Sequence, residues 1–346
     1  MPKLFEPFQY GGLALKNRVV MSPMCQYSVW AEDGVLNEWH WVHYLSRAVG
    51  GVGLIIIEMT GVVPDGRITV HDLGLWNAEQ AEALARLVRE IHRYGAKVGI
   101  QIAHAGRKTE SPSLRPVAPS PIPFSERYRV PHALSVAEIA EIVAAFGRAA
   151  RLAVEAGVDL VELHGAHGYL IHQFFSPLSN HREDAYREPT RFASEVIRAV
   201  RRELPDRVPL AIRVSATEWD PAGYNLEAFL PWARALRDAG AELFDVSSGG
   251  NSPVRVTPTP GYQVPFAAEI RRQLRVPVIA VGALDSYPLA EAVLNREDAD
   301  LVAIGRGLLA NPYWANAAAQ ALGGRVQVPK QYWRAFPPEF LAAPQA

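Results

Sequence analysis

The sequence predicts an α/β fold, a single (β/α)8 TIM barrel, on three observations. One unit recurs along the chain: a helix-like stretch ending near glycine, a short β-branched apolar run, then small and polar residues. It is read in GGVGLIIIEMTG, YGAKVGIQIAHAG, AGVDLVELHGAHG, VPLAIRVSA, AGAELFDVSSGG, VPVIAVGAL and DADLVAIGRG, and NRVVMSPMCQ near the start makes eight. Runs rich in Val, Ile and Leu describe strands buried on both faces, as in a parallel sheet covered by helices. Lastly, nearly every polar residue suited to chemistry falls just past a strand, where barrel enzymes place their active sites. An open doubly wound sheet is the competing arrangement, but no glycine fingerprint of a dinucleotide fold follows the first strand.

The intervening segments justify the helices. AEQAEALARLVREIHRYG and VAEIAEIVAAFGRAARLAVEAG carry apolar residues at helical spacing and end at glycine. Two stretches lie outside the repeat. Residues 109–132, rich in Pro, Ser and Arg, follow the third strand and read as a loop or short cap over one barrel mouth. Residues 326–346, with VPKQYWRAFPPEF, form a C-terminal extension that packs on a neighbour, within the chain or beyond it. The rest of 1–346 reads as one domain.

Composition narrows the functional classes. Hydrophobic residues make up 49% and charged residues 21%, the balance of a globular protein. A net charge of −1 gives no general attraction to nucleic acid or anionic lipid. The most apolar stretch, VGLIIIEM, is too short to span a bilayer. A single cysteine, Cys25, excludes an intrachain disulfide and fits a reducing compartment. The N-terminus has no basic start followed by a long apolar run, so a cytoplasmic location is expected.

The strand ends carry the candidate site. Ser247, Gly282, Gly305 and Arg306 follow strands six, seven and eight, the usual phosphate cradle of this fold. Glycine allows backbone N–H groups close to a phosphate, and arginine adds a bidentate charge. Plain tight turns are the alternative. Gln101 and Arg213 end strands three and five. A buried arginine needs an anionic partner, either a cofactor ring that becomes anionic or a carboxylate such as Glu162. Cys25, in MSPMCQY, reads first as core filling. It has no adjacent charge to activate it as a nucleophile.

ELHGAHGYLIHQFFSP holds three histidines. His164 and His167 could join a zinc site, which would need a third or fourth ligand such as Glu162, His104 or His172. No HExxH motif is present, and no metal is assigned. Each imidazole could also sit in the core, satisfied by a backbone carbonyl. Alternatively, the pair could converge on one carbonyl oxygen and stabilise charge there, with Tyr169 as general acid. His172 is expected to pack beneath the site.

These motifs resemble the Old Yellow Enzyme family of FMN-dependent ene-reductases, in its bacterial "thermophilic-like" branch that includes xenobiotic reductases. The likeness runs from LFEPFQYGGLALKNRVVMSPMCQYS to QYWRAF, and HGAHGYLIHQFFSPLSNHRED and PFAAEI are specific to it. The resemblance implies FMN as cofactor and NADPH or NADH as its reductant. Pro23, Met24 and Cys25 would lie along the flavin, with Cys25 tuning its potential, and Met59 beside it. Gln101 would bond its pyrimidine end, and Arg213 would face the negative charge of the reduced ring. Ser247, Gly282, Gly305 and Arg306 would hold the phosphate. His164, His167 and Tyr27 would bind substrate, and Tyr169 would protonate it. Hydride would pass from flavin N5 to the β-carbon of an α,β-unsaturated carbonyl. Enones, quinones, maleimides and nitroalkenes fit such a clamp. Arg334 would reach an adjacent subunit's site, which implies a homodimer or homotetramer. Other FMN barrel oxidoreductases and a zinc-dependent lyase or hydrolase are the competing functions. One cysteine argues against relatives that carry iron–sulfur clusters.

Three departures stand out. Met59 occupies a position where the family commonly has Ala or Gly. The family's DxYGGSxENRxRF stretch is shortened to DAYREPTRF, Asp184 to Phe192. The cap is also short, so an open mouth that tolerates bulky substrates is expected.

Overall fold

The computed structural model describes residues 1–341, so the last part of the C-terminal extension, 342–346, lies outside the described residues. Eight strands form one closed parallel ring: β1 (Val19–Met21), β2 (Leu54–Gly61), β3 (Lys97–Ala103), β4 (Leu160–Gly165), β5 (Leu210–Ser215), β6 (Leu243–Ser247), β7 (Val278–Val281) and β8 (Leu301–Ile304). Each pairs with the next, and β8 closes on β1 through Ala303 opposite Val20. All eight residues of β2 are buried, as are all six of β4 and of β5. This is the two-sided burial expected of continuous apolar runs.

Eight helices alternate with the strands: α1 (Glu38–Val49), α2 (Ala78–His92), α3 (Val136–Glu155), α4 (Arg191–Glu203), α5 (Leu226–Ala239), α6 (Val264–Leu274), α7 (Tyr287–Asn295) and α8 (Trp314–Ala321). Their starts are chemically marked. Asn77 caps α2 and Ser135 caps α3, each with its third helical residue, Gln80 or Glu138, bonding back. Such boxes satisfy two otherwise orphaned N–H groups. No helix among the described residues is long and apolar enough to cross a membrane.

Short helices Leu170–Phe175 after β4 and Arg306–Ala310 after β8 lie outside the repeat, as does an N-terminal hairpin. Phe8–Tyr10 pairs antiparallel with Leu13–Leu15 around Gly11–Gly12, with Gly11 at φ +52°. Phe8, Leu13 and Leu15 pack against Leu54, Leu160, Leu243 and Leu301, residues at or near the starts of alternate strands. The hairpin therefore plugs the N-terminal end of the barrel and leaves the opposite mouth for chemistry.

After β3, a 3-10 turn at Gly106–Lys108 leads into residues 109–132. Val117–Ala118 of this segment pairs with His132–Ala133. Near the C-terminus, Val326 bridges Leu341, and the 3-10 turn Lys330–Ala335 is exposed throughout.

Candidate active site

A cavity of about 440 Å³ opens at the C-terminal strand ends, within the size range of small-molecule sites. Pro23, Met24 and Cys25 line it from the segment after β1, and Gln101 and Arg213 from β3 and β5. His164, His167 and Tyr169 contribute from the end of β4. Ser247, Gly282, Gly305 and Arg306 close it from β6, β7 and β8. Twelve residues singled out from the sequence thus meet in one space.

Three others do not line it. Met59 is buried behind Cys25 and Tyr169 with Ile68, Ala103 and Ala105. Tyr27 is partly exposed and lies near Cys25 rather than in the cavity wall. Arg334 is exposed on the C-terminal turn, away from the cavity of its own chain. A larger groove of about 710 Å³ lies between the segment after β4 and α5, lined by Phe175, Pro177, Tyr224 and Trp232. It contains none of the candidate groups.

Strand register explains the charges at the cavity floor. Arg213 lies opposite His164 on β4 and Asp245 on β6, and Gln101 opposite Glu162. Arg213 Nε approaches Asp245 Oδ2 at 3.3 Å without hydrogen-bond geometry. The carboxylate beside Arg213 is therefore Asp245. Glu162 instead accepts from Gln101 Nε2 at 2.7 Å, and its second oxygen has no partner among the described residues. Burial, with Asp245 nearby, pushes the Glu162 carboxyl up to about 8.

Burial and the nearby Arg213 hold both His164 and His167 well below the usual imidazole range, so both are neutral. The Ala166 N–H donates to His164 Nδ1 at 3.3 Å. That places the His164 proton on Nε2, as a donor. His167 Nε2 lies 2.7 Å from Ser247 Oγ, so an oxygen in the cavity would meet Nδ1 of His167 or displace Ser247. The His164 ring packs edge-on against His167 at 5.2 Å and Tyr169 at 4.8 Å between centroids.

Burial raises the Tyr169 phenol well above its ordinary value, with Cys25, Tyr27 and Asp72 reinforcing the shift. It is a protonated acid at neutral pH. Burial, followed by Asp72 and Glu58, likewise raises the Cys25 thiol, which is no thiolate nucleophile. No group of three or more His, Cys, Asp or Glu among the described residues is arranged to hold a metal ion. The zinc alternative therefore lacks a third ligand there.

Tyr262, Gln263 and Asp285 also line the cavity. Gln263 donates to Val281 O at 2.9 Å and accepts from Ser248 Oγ at 2.6 Å. Tyr262 and Gln263 sit in a loop just before α6, where no periodicity marks them. Their one signal was adjacency to the PFAAEI motif. Asp285 accepts from the Gly307 N–H, a contact that only tertiary structure reveals.

The residues present suit a planar, anionic-tailed cofactor. An apolar wall of Pro23, Met24 and Cys25 faces a floor whose Arg213 Nε makes no hydrogen bond. Arg306 and Gly282 line the same cavity, and at Gly282 φ is +126° and a Cβ would lie 2.8 Å from Gln263 Nε2.

A barrel with this site is a flavin-binding oxidoreductase in architecture, and the comparisons agree. The model of the NADH:flavin oxidoreductase / NADH oxidase family matches residues 3–323. The chain belongs to this family, that of the FMN-dependent Old Yellow Enzymes, and is an FMN-dependent oxidoreductase. It is 51% identical over 340 residues to an NADPH dehydrogenase of Listeria innocua, covering 97% of this chain and 100% of that one. Among solved structures, morphinone reductase is similar at 28% identity and a TM-score of 0.80, covering 100% of this chain and 94% of that one. A 2-naphthoyl-CoA reductase complex matches at 24% identity and a TM-score of 0.85. That match covers 93% of this chain and about half, 52%, of the other, and shows the fold alone.

Proposed function

We propose that the chain is an NADPH dehydrogenase that reduces the C=C bond of α,β-unsaturated carbonyl compounds and related activated alkenes. One observation carries the reading: a neutral imidazole with its proton on Nε2, a second neutral imidazole and a protonated buried phenol line one cavity, over a wall containing Cys25. The bound FMN supplies reducing equivalents taken from NADPH, and the name of the Listeria relative favours NADPH over NADH.

The chain's own residues then divide the remaining tasks. Ser247, Gly282, Gly305 and Arg306 hold the phosphate. Pro23, Met24 and Cys25 bound the ring, Gln101 meets its polar edge, and Arg213 balances negative charge that develops there. Met59 supports this wall from behind. His164 and His167 bind the substrate oxygen and stabilise charge that grows on it, where one such donor is worth roughly 3 kcal/mol. Tyr27 borders the substrate, and the Tyr169 phenol delivers the proton to its α-carbon.

Residues 1–346 act as one barrel domain in the cytoplasm, with the C-terminal extension at a subunit interface. Arg334 completes a neighbouring subunit's site in a homodimer or homotetramer. Exposed Tyr332 and Trp333 on the same turn, with exposed Trp39 and Val42 on α1, support that assembly. The test is direct. Purified protein is yellow, anaerobic NADPH bleaches it, and cyclohexenone restores the colour. A colourless preparation, or a bleached one that cyclohexenone leaves unchanged, sinks the proposal.

A further inference from the structure

The third histidine of the HGAHGYLIH run touches no reacting group, yet both of its ring nitrogens are bonded. The turn it supports is a demanding one. His167 (φ +57°) and Gly168 (φ +75°) are consecutive residues in the left-handed region, and His167 is not glycine. Such a turn persists only where its surroundings over-determine it. Here four bonds fix it. The His167 N–H donates to Ser215 Oγ at 3.1 Å, and Lys108 Nζ donates to His167 O at 2.9 Å. Gln173 Nε2 donates to Gly168 O at 2.8 Å, and the Gly168 N–H donates to His172 Nδ1 at 3.0 Å.

The last bond needs an unprotonated Nδ1, so the His172 proton must lie on Nε2. Nε2 faces Tyr224 Oη at 2.9 Å and Glu218 Oε1 at 3.2 Å. The Tyr224 hydroxyl already donates to Ser215 O at 2.7 Å, which leaves its oxygen as an acceptor. Glu218 is fully buried and accepts from Ser176 Oγ at 2.8 Å, Asn251 Nδ2 at 2.9 Å and the Tyr224 N–H at 3.1 Å. Buried Arg107, which bonds Asn251, adds a positive charge nearby. Every group at Nε2 is thus an acceptor.

We infer that Glu218 and His172 form a positioning pair: Glu218 fixes the His172 tautomer, and His172 Nδ1 holds the turn that presents His167 and Tyr169. What the turn presents them for rests on the proposed function; the tautomer does not. The pair joins the loop after β5 to the short helix Leu170–Phe175 after β4. Neither residue touches substrate.

Two measurements on the holoenzyme test the pair. In 15N-correlated NMR of the imidazoles at neutral pH, His172 of the unmodified protein is expected as the Nε2–H tautomer. Glu218→Gln is expected to move that signal. An Nδ1–H tautomer in the unmodified protein overturns the inference, and this arm needs no variant to fold. In the second measurement the probe is p-hydroxybenzaldehyde, whose phenolate oxygen mimics the charged substrate oxygen that His164 and His167 are proposed to hold. His172→Leu is expected to weaken its binding at least about tenfold, since small misplacements of positioned groups are costly. Flavin reduction by NADPH should stay within about twofold, as expected when the reductive step does not use the turn. His172→Asn, whose Oδ1 can accept from Gly168, is expected to recover most of the loss. Unchanged phenol affinity in His172→Leu, or equal loss in both half-reactions, counts against the pair. Failure of the unmodified enzyme to reduce alkenes would remove the proposed function while leaving the tautomer result standing.

Discussion

Alanine at two neighbouring glycines of the candidate phosphate cradle should have two different effects. At Gly282 the backbone sits at φ +126°, and a Cβ would meet Gln263 Nε2 at 2.8 Å and Tyr262 Cε1 at 3.0 Å. Gln263 cannot swing aside freely, because it bonds Val281 O and Ser248 Oγ. Backbone strain of this kind costs about 1–3 kcal/mol, and a lost hydrogen bond adds about 1 kcal/mol. At roughly 2 °C per kcal/mol for a large domain, Gly282→Ala should lower the Tm of the FMN-free protein by about 4–8 °C. At Gly305 the φ is −99°, and the nearest atom to a new Cβ is Met24 Sδ at an ordinary 3.7 Å. Gly305→Ala should therefore cost less than half as much without FMN, but still weaken FMN where its methyl group approaches the phosphate. Thermal unfolding of FMN-free protein and FMN fluorescence titration read both. Equal Tm losses would refute the steric reasoning, and unchanged FMN affinity in both variants would place the phosphate elsewhere.

Further outcomes follow from the same geometry. Met59→Ala removes a buried side chain from the wall behind Cys25 and Tyr169. It should cost about 2–5 kcal/mol in denaturant unfolding and change FMN affinity or substrate range; no change in either would show that Met59 does not support the cavity wall. The FMN-free protein should be most stable near neutral pH. Glu58 and Glu162 keep their protons up to about 8 when folded, against 4.5 in the unfolded chain. Between those values unfolding releases protons, and stability falls as pH rises, by up to about 1.4 kcal/mol per unit for each group. Below about 6.5 the unfolded chain protonates five histidines that the fold keeps neutral, His40, His43, His104, His164 and His167; they outnumber the buried carboxyls Glu58, Glu162, Asp72 and Asp245, and stability falls again. A stability curve still rising from pH 6.5 to 8 would contradict this. Arg334→Ala should raise the KM for enones more than it lowers flavin reduction by NADPH; unchanged steady-state constants would remove Arg334 from any neighbouring site.

Most of the barrel was legible because its strands are buried on both faces and therefore written as unbroken Val, Ile and Leu runs. The plugging hairpin was not. Its strands are three residues each, too short for any period, and its only mark is the Gly11–Gly12 pair between Tyr10 and Leu13. Twelve candidate residues could be placed at one mouth because the position after a strand is itself a spatial coordinate in this fold. Partnerships between strands were harder. Asp245 as the carboxylate beside Arg213 depends on the register of β5 against β6, which separates the two by 32 positions in sequence but aligns them as neighbours. Glu218 was invisible for the same reason: nothing local links it to His172, 46 residues away. His172 could be set apart from the chemistry by its place after Tyr169, but its work on the Gly168 N–H appears only once the turn is folded.

The most direct measurement is anaerobic stopped-flow absorbance of Tyr169→Phe, following the two half-reactions separately. Reduction by NADPH should proceed at nearly the unmodified rate, because the phenol has no part in it. Reoxidation by cyclohexenone should slow by about 10²–10⁴-fold, the usual contribution of a positioned acid. Equal slowing of both half-reactions, or unimpaired reoxidation, would contradict Tyr169 as the proton donor.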